Sequence, residues 1–177
     1  MRKIKNEELN RLSPEEFKSS EKNRVIIVLD DVRSAMNVGS AFRTSDAFLV
    51  EKICLCGITA QPPHREINKT ALGAQDTVAW EHFPTITHCI QTLREEGYQI
   101  IAIEQADEST SLLKFEATAD HKYAFVFGNE VFGINETMVE NADLVVEIPQ
   151  YGSKHSLNIS VSMGIVLWDY LSKTNLC

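Results

Sequence analysis

The sequence predicts an α/β domain built on a mostly parallel sheet of about six strands flanked by helices. From Arg24 onward strand-like and helix-like pieces alternate, the order expected of strands joined by crossover helices. Several strand candidates are continuous apolar runs rather than alternating ones, which suits a sheet covered on both faces. The length of 177 residues, with 44% hydrophobic and 24% charged, suits one compact domain.

The elements follow in order. Residues 1–23 read as a helical arm, because Ser13 is followed by Pro14 at the first helical position and Glu16 three residues on, a capping box. The domain proper spans residues 24–177. Its strand candidates are "RVIIVLD" at 24–30, "KICLCGI" at 52–58, "VAWEHF" at 78–83, "YQIIAIE" at 98–104, "KYAFVFG" at 122–128 and "DLVVEIP" at 143–149. Between them "VGSAFRTSDAFL" and "TITHCIQTLREEG" read as helices, the first capped by Asn37 and the second closed by Gly97, with "NETMVENA" a shorter one. The polar, Pro-broken "TAQPPHREINKT" at 59–70 reads as a loop. The last piece is ambiguous. In "IPQYGSKHSLNISVSMGIVLW", Leu157, Ile159, Val161, Met163 and Ile165 alternate as in a strand, yet Leu157, Val161, Ile165 and Trp168 share a helical face.

Composition excludes several classes. No apolar run reaches the roughly 20 residues that span a bilayer, and the start lacks a signal peptide's apolar core, so a cytoplasmic protein is expected. Cys54, Cys56, Cys89 and Cys177 are too few and irregular for a disulfide framework or zinc site and read as buried reduced thiols. A net charge of −8 argues against non-specific coating of nucleic acid. A local basic patch remains open to Arg33, Arg43, His64, Arg65, Lys69, Lys154 and His155.

Three strand ends carry glycine and polar residues. In "VFGNEVFGI", Gly128 and Gly133 have phosphate-loop spacing, but Ile134 stands where that loop needs Lys. No glycine triad follows the first strand, as a dinucleotide fold would require. What remains is a turn that brings backbone close to a ligand, with Glu130 at its tip. Asn37 and Arg43 lie roughly 9 Å apart along their helix and on different faces, and Arg43 could instead pair with Asp46. Ser156 and Asn158 stand at the start of the last element, where a helix would favour an anion. Together the three form a ligand site at the carboxyl edge of a sheet.

In order and spacing, "NVGSAFRT", "FGNEVFGI" and "IPQYGSKHSLNISVSMGI" resemble the three motifs of the TrmH-like branch of the SPOUT RNA methyltransferases, in particular the tRNA guanosine-18 2'-O-methyltransferase type, over about residues 24–172. The resemblance implies that the last motif is helical and belongs to a deep trefoil knot wrapping S-adenosyl-L-methionine. It further implies Arg43 as catalytic arginine, Asn37 as its support, Glu130 as the motif-two glutamate, and Ser156 and Asn158 near ribose and phosphate. Gly128, Asn129, Ile148, Pro149, Ser156 and Leu157 would hold the cofactor. Val131 stands where many relatives have glycine.

The implied reaction is transfer of the sulfonium methyl to a ribose 2'-oxygen of RNA, most directly guanosine in the tRNA D-loop. Ribosomal RNA is the alternative substrate. Because a guanidinium normally stays charged, Arg43 serves either as an activated base or as a phosphate clamp. The resemblance also implies a homodimer, and from the cysteine pattern no metal is expected. The competing readings are an RNA-binding protein that keeps the fold without catalysis, and a small-molecule enzyme that binds no RNA.

Overall fold

The structure is a computed structural model and describes residues 1–5 and 8–174. Chain order is α1 (Pro14–Ser19), β1 (Asn23–Asp30), α2 (Ala35–Ala47), β2 (Val50–Cys56), α3 (Arg65–Ala71), β3 (Ala79–Phe83), α4 (Ile86–Glu95), β4 (Gln99–Ile103), β5 (Thr110–Ser111), β6 (Tyr123–Phe127), α5 (Glu136–Glu140), β7 (Leu144–Glu147) and α6 (Ile159–Thr174). Short 3-10 turns occupy Ala74–Asp76 and Leu112–Lys114.

The strands form one seven-stranded sheet in the order β3-β2-β1-β6-β4-β7-β5, and every pairing between these strands is parallel. The six expected strands are all present: β1 starts one residue earlier than expected, β2 lies two residues earlier, and the other four are shorter. The seventh is β5, two residues beside β7, too short to leave an apolar pattern in sequence.

Burial explains the apolar runs. Val25, Ile27 and Leu29 of β1 pack into one core with Phe42 of α2 and Met163, Val166, Leu167 and Tyr170 of α6. Ile26 and Val28 face the opposite core with Ile90 and Leu93 of α4 and Met138 of α5. Both faces of the strand are therefore covered, which removes the alternation. Cys54 and Cys56 point to this second face, as their spacing requires, beside Cys89. All three are buried free thiols, and Cys177 lies outside the described residues. The Cys54 thiol is pushed above its ordinary range first by its contact with Cys89 and then by burial; for Cys89 the contact with Cys54 lowers the pKa, but the contact with Cys56 and burial outweigh it and hold that thiol high as well.

Local signals account for most helix starts. Ser13 and Glu16 make the reciprocal capping box, with Glu16 Oε2 accepting from Ser13 N at 2.7 Å. Phe17 on that helix is 5% exposed and sits in the first core, so the arm is anchored to the sheet by one aromatic ring. Thr85 caps α4. Gly97 follows it at φ +85, in the left-handed region glycine favours.

Two expectations are corrected. Asn37 is not the cap of α2; Ser34 is, its Oγ accepting from Asn37 N at 3.3 Å, so the helix begins three residues earlier and leaves the Asn37 amide free for longer contacts. Within the supposed loop 59–70 lies α3, whose Ile67 is buried. It packs so tightly on α2 that a Cβ on Gly39 would meet Thr70 Oγ1 at 2.0 Å and Ile67 O at 2.5 Å. The ambiguous last element is a helix, α6.

Candidate active site

The sheet register brings four strand ends to one edge. Leu29 of β1 pairs with Phe127 of β6, Ala102 of β4 with Val126 of β6, and Ile103 of β4 with Val146 of β7. The turns beyond them enclose an open cavity of about 1030 Å³. Its lining includes Gly128, Asn129, Glu130, Ile148, Ser156, Leu157 and Asn158.

The turn after β6 is held from several sides. Asn129 and Gly133 exchange two backbone hydrogen bonds of 2.9 Å. Asn129 Oδ1 accepts from the N–H groups of Val131 and Phe132, and Asn129 Nδ2 donates to Asp31 O at 2.8 Å. A Cβ on Gly128 would come within 2.3 Å of the Gly133 backbone, so the close return of the turn itself requires glycine.

Glu130 joins this turn to the start of α2. Its carboxylate accepts from Arg33 N, Ser34 N and Asn37 Nδ2, each at 3.0 Å. Partial burial would raise its pKa, but these donors prevail and hold the carboxyl below its ordinary value. Asn37 Oδ1 in turn accepts from Asn158 Nδ2 at 3.2 Å. Asn158 Oδ1 accepts from Ser160 N at 2.9 Å and so caps α6. One hydrogen-bonded line therefore runs from the β6 turn through the α2 N-terminus to the α6 N-terminus, across residues 93 and 121 positions apart in sequence.

The other site residues divide. Ser156 and Leu157 line the cavity on an exposed segment. Pro149 does not: it faces a second depression, of about 640 Å³, with Leu112, Leu113, Val161, Ile165 and Trp168. Arg43 stands apart from the Asn37 line, exposed on α2, with no hydrogen bond or ion pair to a described residue. The expected partner Asp46 instead accepts from Thr77 Oγ1 at 2.9 Å. Lys154 and His155 are exposed beside the cavity segment, as are Arg33, His64, Arg65 and Lys69 around α2 and α3.

Two residues at the end of β4 escaped the sequence reading. Glu104 Oε2 accepts from Ile134 N at 3.0 Å and Oε1 from Gln105 N at 2.9 Å, and Gln105 Nε2 donates to His155 O at 2.7 Å. They clamp the β6 turn and the 150–158 segment to β4. The signal was available, since Glu104 and Gln105 follow a buried strand directly at its carboxyl end, where open α/β sheets place ligands.

The SpoU rRNA Methylase family matches residues 24–168. The chain belongs to this family. Among its relatives, the 23S rRNA (guanosine-2'-O-)-methyltransferase of Nitrosomonas europaea is 34% identical over 145 residues, covering 82% of this chain and 55% of that protein. The crystal structure of the A. aeolicus TrmH/SpoU tRNA-modifying enzyme superposes with a TM-score of 0.77 at 26% identity, over 89% of this chain and 78% of that one. The AdoMet-bound rRNA methyltransferase of Sinorhizobium meliloti superposes at 0.79 and 26% identity, over 92% of this chain and 61% of that one. This chain thus spans little more than half the length of the ribosomal RNA relative.

Proposed function

We propose that this chain transfers a methyl group from S-adenosyl-L-methionine to a ribose 2'-hydroxyl of RNA. The observation that carries the reading is the hydrogen-bonded line Glu130–Asn37–Asn158, which fixes three separate strand-end motifs around one cavity. The cavity suits that cofactor. Ile103, Phe127, Ile148 and Leu157 offer an apolar slot for a purine, while Glu104, Glu136 and Glu140 supply acceptors and negative charge suited to ribose hydroxyls and a cationic ligand. The bound cofactor supplies an activated methyl group on a good leaving group.

The chain's own work is then positioning. Backbone at Gly128, Asn129 and Leu157 with Ile148 and Ser156 holds the cofactor; Asn158 and Ser156 meet the ribose and phosphate side. Glu130 and Asn37 hold the α2 N-terminus against the site. Arg43, charged and without a protein partner among the described residues, clamps an RNA phosphate with its planar fork of donors. Pro149, which lines the second depression, joins Ile148 of the cofactor wall to that depression and shapes the segment between them.

The second depression supports a homodimer. Val161, Ile165 and Trp168 on α6 are 50%, 36% and 59% exposed, an apolar face that a second copy would cover. The trefoil knot, the division into a helical arm over 1–23 and a methyltransferase domain over 24–177, and a cytoplasmic location belong to the same proposal. No described helix is long and apolar enough to cross a membrane.

The tRNA reading rests on the A. aeolicus similarity and the motif resemblance, the rRNA reading on the N. europaea one. Labelled methyl transfer to unmodified tRNA and, separately, to unmodified ribosomal RNA decides between them. Label mapped to a ribose 2'-oxygen on one RNA names the substrate. Absence of label on both, with RNA still bound, would leave a non-catalytic RNA-binding protein.

A further inference from the structure

We propose that Phe132 is a stacking platform for an unpaired base of the RNA substrate, at the rim of the cavity that receives its ribose. The inference rests on the reading above and assigns a role to a residue of the second motif that the Glu130–Asn37–Asn158 line does not use.

Phe132 is 84% exposed, and Val131 beside it 65%. Exposed phenyl rings usually sit on segments free to fold over them; this one does not. Its backbone lies between Asn129 and Gly133, which are bonded to each other, and its own N–H donates to Asn129 Oδ1 at 3.2 Å. Glu130 is bound to Arg33, Ser34 and Asn37, and a Cβ on Gly133 would meet Glu104 Oε2 at 2.3 Å, so both flanks are pinned. The turn thus presents an aromatic ring to water from a pinned backbone at the rim of the 1030 Å³ cavity, with no aromatic pair to it among the described residues.

The chemistry of the substrate says what would meet it. In a nucleotide the base is attached to the carbon next to the one bearing the 2'-oxygen. An oxygen brought into the cavity therefore leaves its base, or a neighbouring one, at the rim. Unstacked RNA bases find aromatic faces, and that contact does not depend on base identity. Charge points the same way. Asp107, Glu136 and Glu140 share this lining with Phe132, whereas the phosphate side falls to Ser156 and Asn158 at the start of α6, so the acidic part of the wall favours an uncharged ring over a phosphate.

The test compares Phe132→Ala, Phe132→Leu and Phe132→Trp in the full chain. Filter binding of unmodified tRNA and ribosomal RNA at one fixed salt gives RNA affinity. Calorimetry gives S-adenosyl-L-methionine affinity, and light scattering the oligomeric state. The expected result is a roughly tenfold loss of RNA affinity in the Ala and Leu variants and recovery in the Trp variant, with cofactor affinity and mass unchanged. Leu equal to wild type would show that any apolar group suffices, and would overturn stacking. Weakened cofactor binding would make the ring a cover for the cofactor; an altered mass would make it a contact between copies; no change in any variant would leave it without a role. Each of these sinks the proposal. Wild type that binds RNA through Phe132 without transferring methyl would sustain the platform and defeat the catalytic reading. Wild type that binds neither RNA would defeat both.

Discussion

The two depressions beside the segment 148–158 share Ile148 and little else. The first is lined by Glu104, Asn129, Glu130, Ser156 and Asn158, and its walls are joined by hydrogen bonds between side chains and backbone of distant elements. The second is lined by Leu112, Leu113, Val161, Ile165 and Trp168, with Asp169 and Ser172 at its edge, and its shape follows from one helix and one turn. Directional bonds fix atoms in place, which a reacting ligand needs; apolar area attracts without direction, which suits a protein surface. Arg43 belongs to neither wall, lying exposed on α2, although the reaction proposed for the first depression requires it.

The largest expected effect tests that separation. Arg43→Ala should lower methyl transfer about a thousandfold, on the scale of removing a group that stabilises charge in the transition state. Cofactor affinity measured by calorimetry should be unchanged, because Arg43 is not in the cavity lining. Arg43→Lys should recover little, since an ammonium cannot make the bidentate contact. Loss of cofactor binding in Arg43→Ala would erase the distinction between α2's outer face and the cavity.

Trp168→Asp tests the second depression. It should convert a dimer to monomer in light scattering at micromolar protein, because it places a charge where the partner surface would be apolar. If the two depressions are independent, cofactor affinity stays within about twofold. A monomeric wild type would remove the reason given for the exposed apolar face.

The carboxyl edge also contrasts two acids. Asp30, at the end of β1 and 7% exposed, has its pKa pushed up to about 6, first by burial and then by Asp31. Its folded-state pKa exceeds the unfolded value near 3.9, so the stability it lends is full below about pH 4 and is lost as pH rises through about 6. Asp30→Asn should therefore be more stable than wild type at pH 7, by on the order of 2 kcal/mol in denaturant titration, and nearly equal to it at pH 4. Glu130 has the opposite sign: its pKa is lowered by its donors despite burial, so its contribution is present above roughly pH 4.3 and is lost as pH falls further. Equal stability of Asp30→Asn and wild type at both pH values would show that Asp30 titrates normally.

The smallest effect sharpens the claim that the first depression is one network. A double-mutant cycle of Asn37→Ala and Asn158→Ala should give a coupling of about 0.5–1 kcal/mol in stability, as for residues sharing a hydrogen bond. Asn158→Ala alone should cost about 1 kcal/mol through loss of the α6 cap. Additivity would mean that the 3.2 Å contact carries no free energy.

Particular residues show where reading the sequence succeeds. The continuous runs around Ile26, Ile53 and Phe125 reveal strands buried on both faces, because a side chain that meets apolar atoms on either side must be apolar at every position. The capping box at Ser13 and Glu16 is readable because both partners lie within one turn. Asn37 was recognisable as important and misplaced as a cap. Its amide serves Glu130 and Asn158, and contacts that span about a hundred residues leave no local pattern. The helix α3 is hidden by the prolines at 62 and 63 just before it and by a polar outer face, while its stability comes from the buried Ile67 and from the close approach of Ile67 and Thr70 to Gly39 of α2.

By itself the sequence determined six of the seven strands, the Ser13 capping box, the Gly97 stop and the three-motif order, since each depends on neighbours within a few positions and on how apolar each position must be. Periodicity left 159–174 tied, and the helix implied there by the motif resemblance is what the structure holds; only the tertiary structure decided that Glu130 binds the start of α2, that Pro149 lines the second depression, and that Phe132 stands in water at the rim of the first. The strand and helix periods tie over that last apolar segment. The tie is broken by what lies opposite it in space: Asn37 at one end, and the first core under Met163, Val166, Leu167 and Tyr170 along its length.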